Sequence, residues 1–270
     1  MLELNGLNKT FNRGTPDEVK ALSEVSLSIA SGSFTVILGT NGSGKSTLLN
    51  AVAGTFIVDS GAICLNGRDI TASPEHERAA FIGRVFQNPF SGTAPNMTIA
   101  ENLSIASMRG KKRGFAAALS GAAMDGFYSR VRELNMGLED RLENNMGSLS
   151  GGQRQALTLL MACWNRPELL LLDEHTAALD PKTGAKVLEL TREVIDKDKL
   201  TTFMVTHSMQ QAVNLGDRIV MVYKGKIIHD FAGADKKSLK PRDLYELFED
   251  IKRREMIDPA TSDILKANYV

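Results

Sequence analysis

The chain has 270 residues, 43% of them hydrophobic and 24% charged, with 32 Lys and Arg balanced by 32 Asp and Glu. This excludes a disordered chain, a collagen and a coiled coil, and it allows one large domain or two small ones with ample surface to bury. Zero net charge removes generic attraction to nucleic acid, so no nucleic-acid partner is expected.

The first 35 residues predict short strands at Met1–Leu4, Val25–Ile29 and Phe34–Leu38, with a polar hairpin at Asn12–Asp17. Phe34–Leu38 runs into a glycine-rich turn, and Lys45–Ala53 reads as a helix ending near Gly54. Ala62–Leu65 with Asn66-Gly67 is a strand and tight turn. Val85-Phe86 is a short strand ending at Gln87-Asn88-Pro89. Strand signals then vanish from about 90 to 165, where Thr98–Ala106, Phe115–Ala123, Met124–Leu134 and Gln153–Asn165 read as helices. Arg109 to Arg113 reads as a basic solvated connection, with anionic lipid headgroups as an alternative neighbour.

From Glu168 the α/β alternation resumes. Leu169–Leu172 and Thr201–Val205 are strands, and Pro181–Asp196 and Met209–Leu215 are helices. Arg218–Tyr223 and Lys226–His229 form a hairpin around Lys224-Gly225, followed by a helix at Asp243–Arg254 and a polar tail. The β-α-β alternation predicts a mostly parallel sheet flanked by helices, interrupted by a helical block. The opening and closing hairpin strands predict an added antiparallel layer.

Two cysteines, Cys64 and Cys163, with no CxxC, fit reduced thiols and no structural zinc site. No run reaches the roughly 18–20 apolar residues of a membrane helix. No basic segment precedes an apolar one at the N-terminus. The expectation is a chain that stays in the cytoplasm and meets a membrane only through a partner.

Gly39-Thr40-Asn41-Gly42-Ser43-Gly44-Lys45-Ser46, followed by Thr47, fits a phosphate-binding loop, with a strand before it and a helix after it. Its glycines let successive N–H groups face phosphate oxygens, and the helix N-terminus adds positive potential. Lys45 is expected to reach the β- and γ-phosphates and Ser46 to ligate Mg²⁺. Taken alone, the loop means a nucleoside triphosphate with Mg²⁺ and leaves open a kinase, a GTPase, a helicase or a transporter ATPase. Four leucines deliver Asp173 and Glu174 to the same sheet edge. There Asp173 can hold Mg²⁺ through water, and Glu174 can act on the attacking water. A second glycine turn, Leu149-Ser150-Gly151-Gly152-Gln153-Arg154-Gln155, has Ser at a helix N-cap and reads as another anion-binding turn. It can serve another nucleotide or the same nucleotide from another copy of the chain.

With that turn, the sequence resembles the ATP-binding-cassette (ABC) ATPases over about residues 1–232. LSGGQRQ matches their signature, Gln87 their Q-loop, Ala178-Leu179-Asp180 their D-loop and His207 their switch histidine. Phe11 matches the aromatic that stacks on adenine. The resemblance implies a P-loop (RecA-like) α/β core with an N-terminal antiparallel β layer and an inserted α-helical subdomain. The implied ATPase domain is 1–235, with core segments at about 1–89 and 166–235 and a helical subdomain at about 90–165. A C-terminal helical extension spans 236–270. One departure is His175, where the family commonly has Pro, and altered local rigidity is expected there.

The resemblance further implies ATP and Mg²⁺ as cofactors. Glu174, His207 and Gln87 would be catalytic, and Ser46, Gln87 and Asp173 would face the metal. ATP would lie between two copies of the chain, the second supplying Ser150, Gly151, Gly152, Gln153 and Asp180. Membrane permease subunits would dock near Gln87 and the helical subdomain, beside Pro89-Phe90 and Pro95–Thr98, where Phe90 and Met97 read equally as contact anchors or as core. Most similar in overall pattern are bacterial importer ATPases associated with amino-acid uptake. That implies a peripheral protein on the cytoplasmic face of the cell membrane, working with an extracytoplasmic substrate-binding protein. A separate-subunit exporter or lipid-extraction ATPase, and a soluble non-transport ABC ATPase, remain the alternatives.

Overall fold

The computed structural model describes residues 1–111 and 119–256, without the side chains of 252 and 254–256. In chain order the elements are β1 (Leu2–Phe11), β2 (Val19–Ile29), β3 (Phe34–Leu38), α1 (Lys45–Ala53), β4 (Ser60–Leu65), β5 (Arg68–Asp69), α2 (Glu75–Arg78) and β6 (Ile82–Val85). Next come α3 (Ile99–Ser107), α4 (Gly121–Arg132), α5 (Gly151–Cys163), β7 (Leu169–Asp173), α6 (Pro181–Asp198) and β8 (Thr202–Thr206). The chain continues with α7 (Met209–Asn214), β9 (Arg218–Tyr223), β10 (Lys226–Ala232), α8 (Gly233–Ser238) and α9 (Pro241–Met256).

β3, β7 and β8 are parallel neighbours in a six-stranded sheet of order β10-β9-β3-β8-β7-β6. Every residue of β3 and β8 is buried, as are the four leucines of β7, which is why these strands read as unbroken apolar runs. Side chains alternate across the sheet, so it divides two cores. Val36, Leu38, Leu170, Leu172 and Met204 pack with Leu103, Phe127, Val131 and Leu157 of the helical segment. Ile37, Leu169, Leu171, Phe203 and Val205 pack with α1 and with Leu2, Leu4 and Leu27 of the antiparallel sheet.

That second sheet has the order β2-β1-β4-β5. Its strands are longer than the sequence suggests. β1 runs on through Gly6, whose φ of +58° lies in a stretch where the pairing register shifts between Leu4 and Leu7. The closing hairpin departs from expectation, because it joins the main sheet instead of the antiparallel layer. β9 pairs parallel to β3, and β10 adds an antiparallel edge.

Between β6 and β7 the described residues hold no named strand. α3 starts at a complete capping box, with the Thr98 hydroxyl accepting from Glu101 N and Glu101 Oε2 accepting from Thr98 N. Of the helix expected at Phe115–Ala123, residues 115–118 lie outside the described residues. Ser120 caps α4, which covers the helix expected at Met124–Leu134 through Arg132 and begins three residues earlier. Arg109 corrects the reading of a solvated basic connection. Its Nη2 donates to Ala162 O at 2.6 Å, and burial pushes its guanidinium pKa down. Lys112 and Arg113 lie outside the described residues. Arg78, unlike the half-buried Arg109, is fully buried: it donates to Ala51 O, Val52 O, Ser73 O and Thr71 O, satisfying carbonyls at the end of α1. In α9, Leu244 and Phe248 are buried in the core that also takes in Ala212 and Leu215.

Candidate nucleotide site

The pairing register brings the strand ends together. Leu38 lies opposite Thr206, and Asp173 opposite Val205, so the Gly39 turn, Asp173-Glu174 and His207 all emerge at one sheet edge. A cavity of about 570 Å³ opens over the glycine turn, lined by Gly42, Ser43, Gly44, Lys45, Ser46 and Thr47 on one side and by Phe11 on the other. Ala21 and Lys224 also line it, two positions that the motifs do not mark. Gly39, Thr40 and Asn41 form the entry to the turn.

Glycine is required at two of these positions. A Cβ on Gly39 would stand 2.5 Å from Val222 O, and Gly44 adopts φ +101° with Ala21 O 2.6 Å from where a Cβ would lie. Gly44 is the N-cap of α1, and no side chain caps that helix start. Lys45 is buried, with Nζ 2.9 Å from Thr40 O. Burial pushes its pKa down, opposed by the nearby charges of Glu174 and Asp173. A cation held there without a direct carboxylate partner suits an incoming anion. Phe11 is half-buried, its ring edge-on to Phe56 at 5.3 Å with Lys9 Nζ 5.6 Å from its centroid. A planar base can pack on the ring from the cavity side.

Burial pushes the Asp173 carboxyl pKa up, and Arg84, with Nη2 3.6 Å from Oδ2, opposes that rise. Arg84 is not marked by any motif, since its role depends on the β6–β7 pairing. Gln87 and Asp173 line one cavity of about 470 Å³ together with Phe86. No cluster of three His, Cys, Asp or Glu suited to a metal exists among the described residues. The donors expected from the sequence, one carboxylate, the Ser46 hydroxyl and an amide, would suit Mg²⁺, an ion that takes few protein ligands; Ser46 lines the cavity over the turn, and Asp173 and Gln87 line the other. Glu174 Oε2 lies 2.9 Å from His207 Nδ1, an acid–base pair at the lip of the edge.

The second glycine turn stands apart, lining neither cavity. Ser150 and Gln153 form a reciprocal capping box on α5, so the Gln153 side chain is used within the turn. Gly152 is buried against Thr183, and Gly151 faces Leu179. Asp180 caps α6 by accepting from Thr183 N at 3.1 Å, and hydrogen bonding from the Thr183 side chain and then its backbone holds the Asp180 pKa down. Gln155 Nε2 donates to Phe86 O at 3.1 Å, joining the helix after this turn to the residue before Gln87. An apolar cavity of about 700 Å³ lies alongside, lined by Phe86, Ile105, Met108, Arg109 and Met161. Phe90 is 57% exposed, with the Arg154 guanidinium 3.8 Å above its ring, so it is a surface residue and not core. Met97 is half-buried.

The ABC transporter family model matches residues 22–177. The tyrosine transport ATP-binding protein of Clostridioides difficile is 39% identical over 249 residues, covering 92% of this chain and 99% of that one. The spermidine/putrescine import ATP-binding protein PotA of Haemophilus influenzae is 34% identical, covering 91% of this chain and 59% of that protein. Among solved structures, a dimeric ATP-binding cassette in a post-hydrolysis state with ADP and phosphate superposes with a TM-score of 0.73 at 28% identity, over 86% of this chain and 98% of that one. An ABC-transporter cassette in its ADP conformation gives 0.73 at 27%, over 88% and 93%. The chain belongs to the ABC transporter ATPases. It has the mixed α/β fold of their P-loop cassettes, and it is a nucleotide-binding, ATP-hydrolysing protein. No described helix is long and apolar enough to cross a membrane.

Proposed function

We propose that this chain is the ATP-hydrolysing subunit of a multi-subunit membrane importer for a small polar solute of the amino-acid class. The observation that carries the reading is the end-to-end similarity to a tyrosine transport ATP-binding protein. In this reading the 1–235 ATPase domain binds ATP, the helical subdomain at about 90–165 meets membrane subunits, and 236–270 is an extension. Lys45 and the turn from Gly39 to Thr47 hold the phosphates, and Phe11 packs on the base. Ser46, Asp173 and Gln87 hold Mg²⁺, which neutralises phosphate charge. Glu174 takes a proton from the attacking water, and His207, its imidazole against Glu174, faces the γ-phosphate. A second copy closes over the nucleotide with its own Ser150 turn and Asp180. The permease inserts a segment into the 700 Å³ cavity whose wall, Phe86, adjoins Gln87. The assembly lies at the cytoplasmic face of the cell membrane and takes its solute from an extracytoplasmic binding protein.

The test is reconstitution in vesicles with the membrane subunits that co-purify with it, with uptake of labelled amino acids followed on ATP addition. ATP-driven uptake of an amino acid supports the reading. ATPase activity without uptake of any amino acid, or ATP-driven efflux, rejects it. Glu174→Gln separates binding from chemistry: ATP binding is expected to persist and hydrolysis to fall at least about 100-fold, the scale of general-base catalysis. Normal hydrolysis by this variant would remove Glu174 from its role.

A further inference from the structure

Glu174 leaves β7 with φ +41°, in the left-handed region that side chains bearing a Cβ rarely adopt. Such a conformation persists only where the surroundings over-determine it. The two residues that follow are each tied down by their side chains. His175 is 1% exposed, with Nε2 3.0 Å from Thr191 Oγ1 in α6. Thr191 has a single hydroxyl proton, which it donates to Val187 O at 2.7 Å. Its oxygen therefore accepts from His175, and Nε2 carries the hydrogen. Nδ1 keeps the lone pair and has no hydrogen-bond partner among the described residues. Thr176 Oγ1 accepts from Gln211 Nε2 at 3.1 Å, and Gln211 Oε1 accepts from Thr206 Oγ1 at 2.9 Å, one residue before His207.

We propose that His175 is a positioning residue for ATP hydrolysis: its Nε2–H bond to Thr191 pins the turn after β7 onto α6 and holds Glu174 against His207. Where the family commonly has a proline ring to stiffen this turn, the present chain uses a side-chain tether. The Thr176–Gln211–Thr206 bridge secures the same turn from the other side. The tether lies beneath the sheet edge, and no atom of His175 lines the nucleotide cavity. It therefore acts on turnover and leaves ATP binding alone. The inference rests on the role proposed for Glu174.

The experiment measures kcat, KM and nucleotide affinity of the full chain for His175→Phe, Thr191→Val, their double variant and His175→Gln. Phe fills the space without a donor, whereas Gln can place an N–H near Thr191. The first two variants are expected to lose about 10-fold in kcat, with KM and ATP affinity within about twofold of wild type. The double variant is expected to fall no further, because both changes remove one bond. His175→Gln is expected to recover most of the rate. Full kcat in Thr191→Val overturns the proposal even if His175→Phe fails to fold. So does a fall in kcat matched by an equal fall in ATP affinity. Glu174→Gln is measured alongside. If it hydrolyses ATP normally, the role of Glu174 falls and this inference falls with it. If it is inactive while His175→Phe keeps full kcat, only the present inference falls.

Discussion

The turns at Gly39–Ser46 and at Ser150–Gly152 each open a helix, yet they leave the helix start in opposite conditions. The first is capped by Gly44, at a φ unsuited to other residues, with no side chain on its N–H groups. The second is closed by its own sequence, because the Ser150 hydroxyl accepts from Gln153 N while Gln153 Oε1 accepts from Ser150 N. An uncapped helix start beside a buried lysine is incomplete until an anion arrives. A capped start is complete already. It still has the Ser150 hydroxyl proton and the Gly151 and Gly152 amides to offer, which suits a phosphate presented from outside the chain. One signal, glycine before a helix, thus precedes an open turn or a closed one according to whether a side chain has capped it.

The largest expected effect comes from Lys45→Ala, which removes the cation of the open turn. ATP affinity should fall about 100-fold or more, as losing a charge-assisted contact implies, measured by titration with a fluorescent nucleotide. Unchanged affinity would place the phosphates elsewhere. Ser150→Arg puts bulk into the closed turn and leaves the open one intact. Its ATPase rate should fall at least about 10-fold while ATP affinity stays within about threefold. If both fall together, the two turns are not separable.

Gly152→Ala sharpens the comparison through packing. The added methyl would overlap the Thr183 methyl, at a cost of about 1–3 kcal/mol. In a thermal melt this should lower Tm by roughly 2–10 °C, with recovery when Thr183→Ala is added. Gln153→Ala removes only the return half of the capping box. About 0.5 kcal/mol of stability should be lost, seen as a Tm shift of roughly 1–2 °C. A larger shift would mean that Gln153 supports more than its own turn.

Much of this arrangement is legible in the order of residues alone. The Gly39–Ser46 turn can be read because its backbone demands glycine and its chemistry demands Lys45. The leucines of β7 can be read because a strand buried on both faces has no polar option. What escapes depends on distant partners. Arg109 reads as a solvated charge because Ala162 O, which accepts from it, lies 53 residues away. The full length of β1 is hidden by Asn5, Gly6 and Asn8, where register shifts interrupt the alternation without ending the strand. The destination of the β9–β10 hairpin is a choice between two sheets, and local turn chemistry does not decide it. Arg84 against Asp173, and Gln211 against Thr176, are long-range side-chain meetings that carry no spacing rule.

The central sheet that separates the two cores also separates two sets of packing demands. Leu170 and Leu172 answer to the helices on one side, Leu169 and Leu171 to α1 and the antiparallel strands on the other. A substitution on one face acts first on the packing of that face. A change on the helical side therefore reaches the nucleotide side only through the strands that the two cores share. A cassette built on such a partition keeps one core for the helix that follows its nucleotide turn and another for its helical segment.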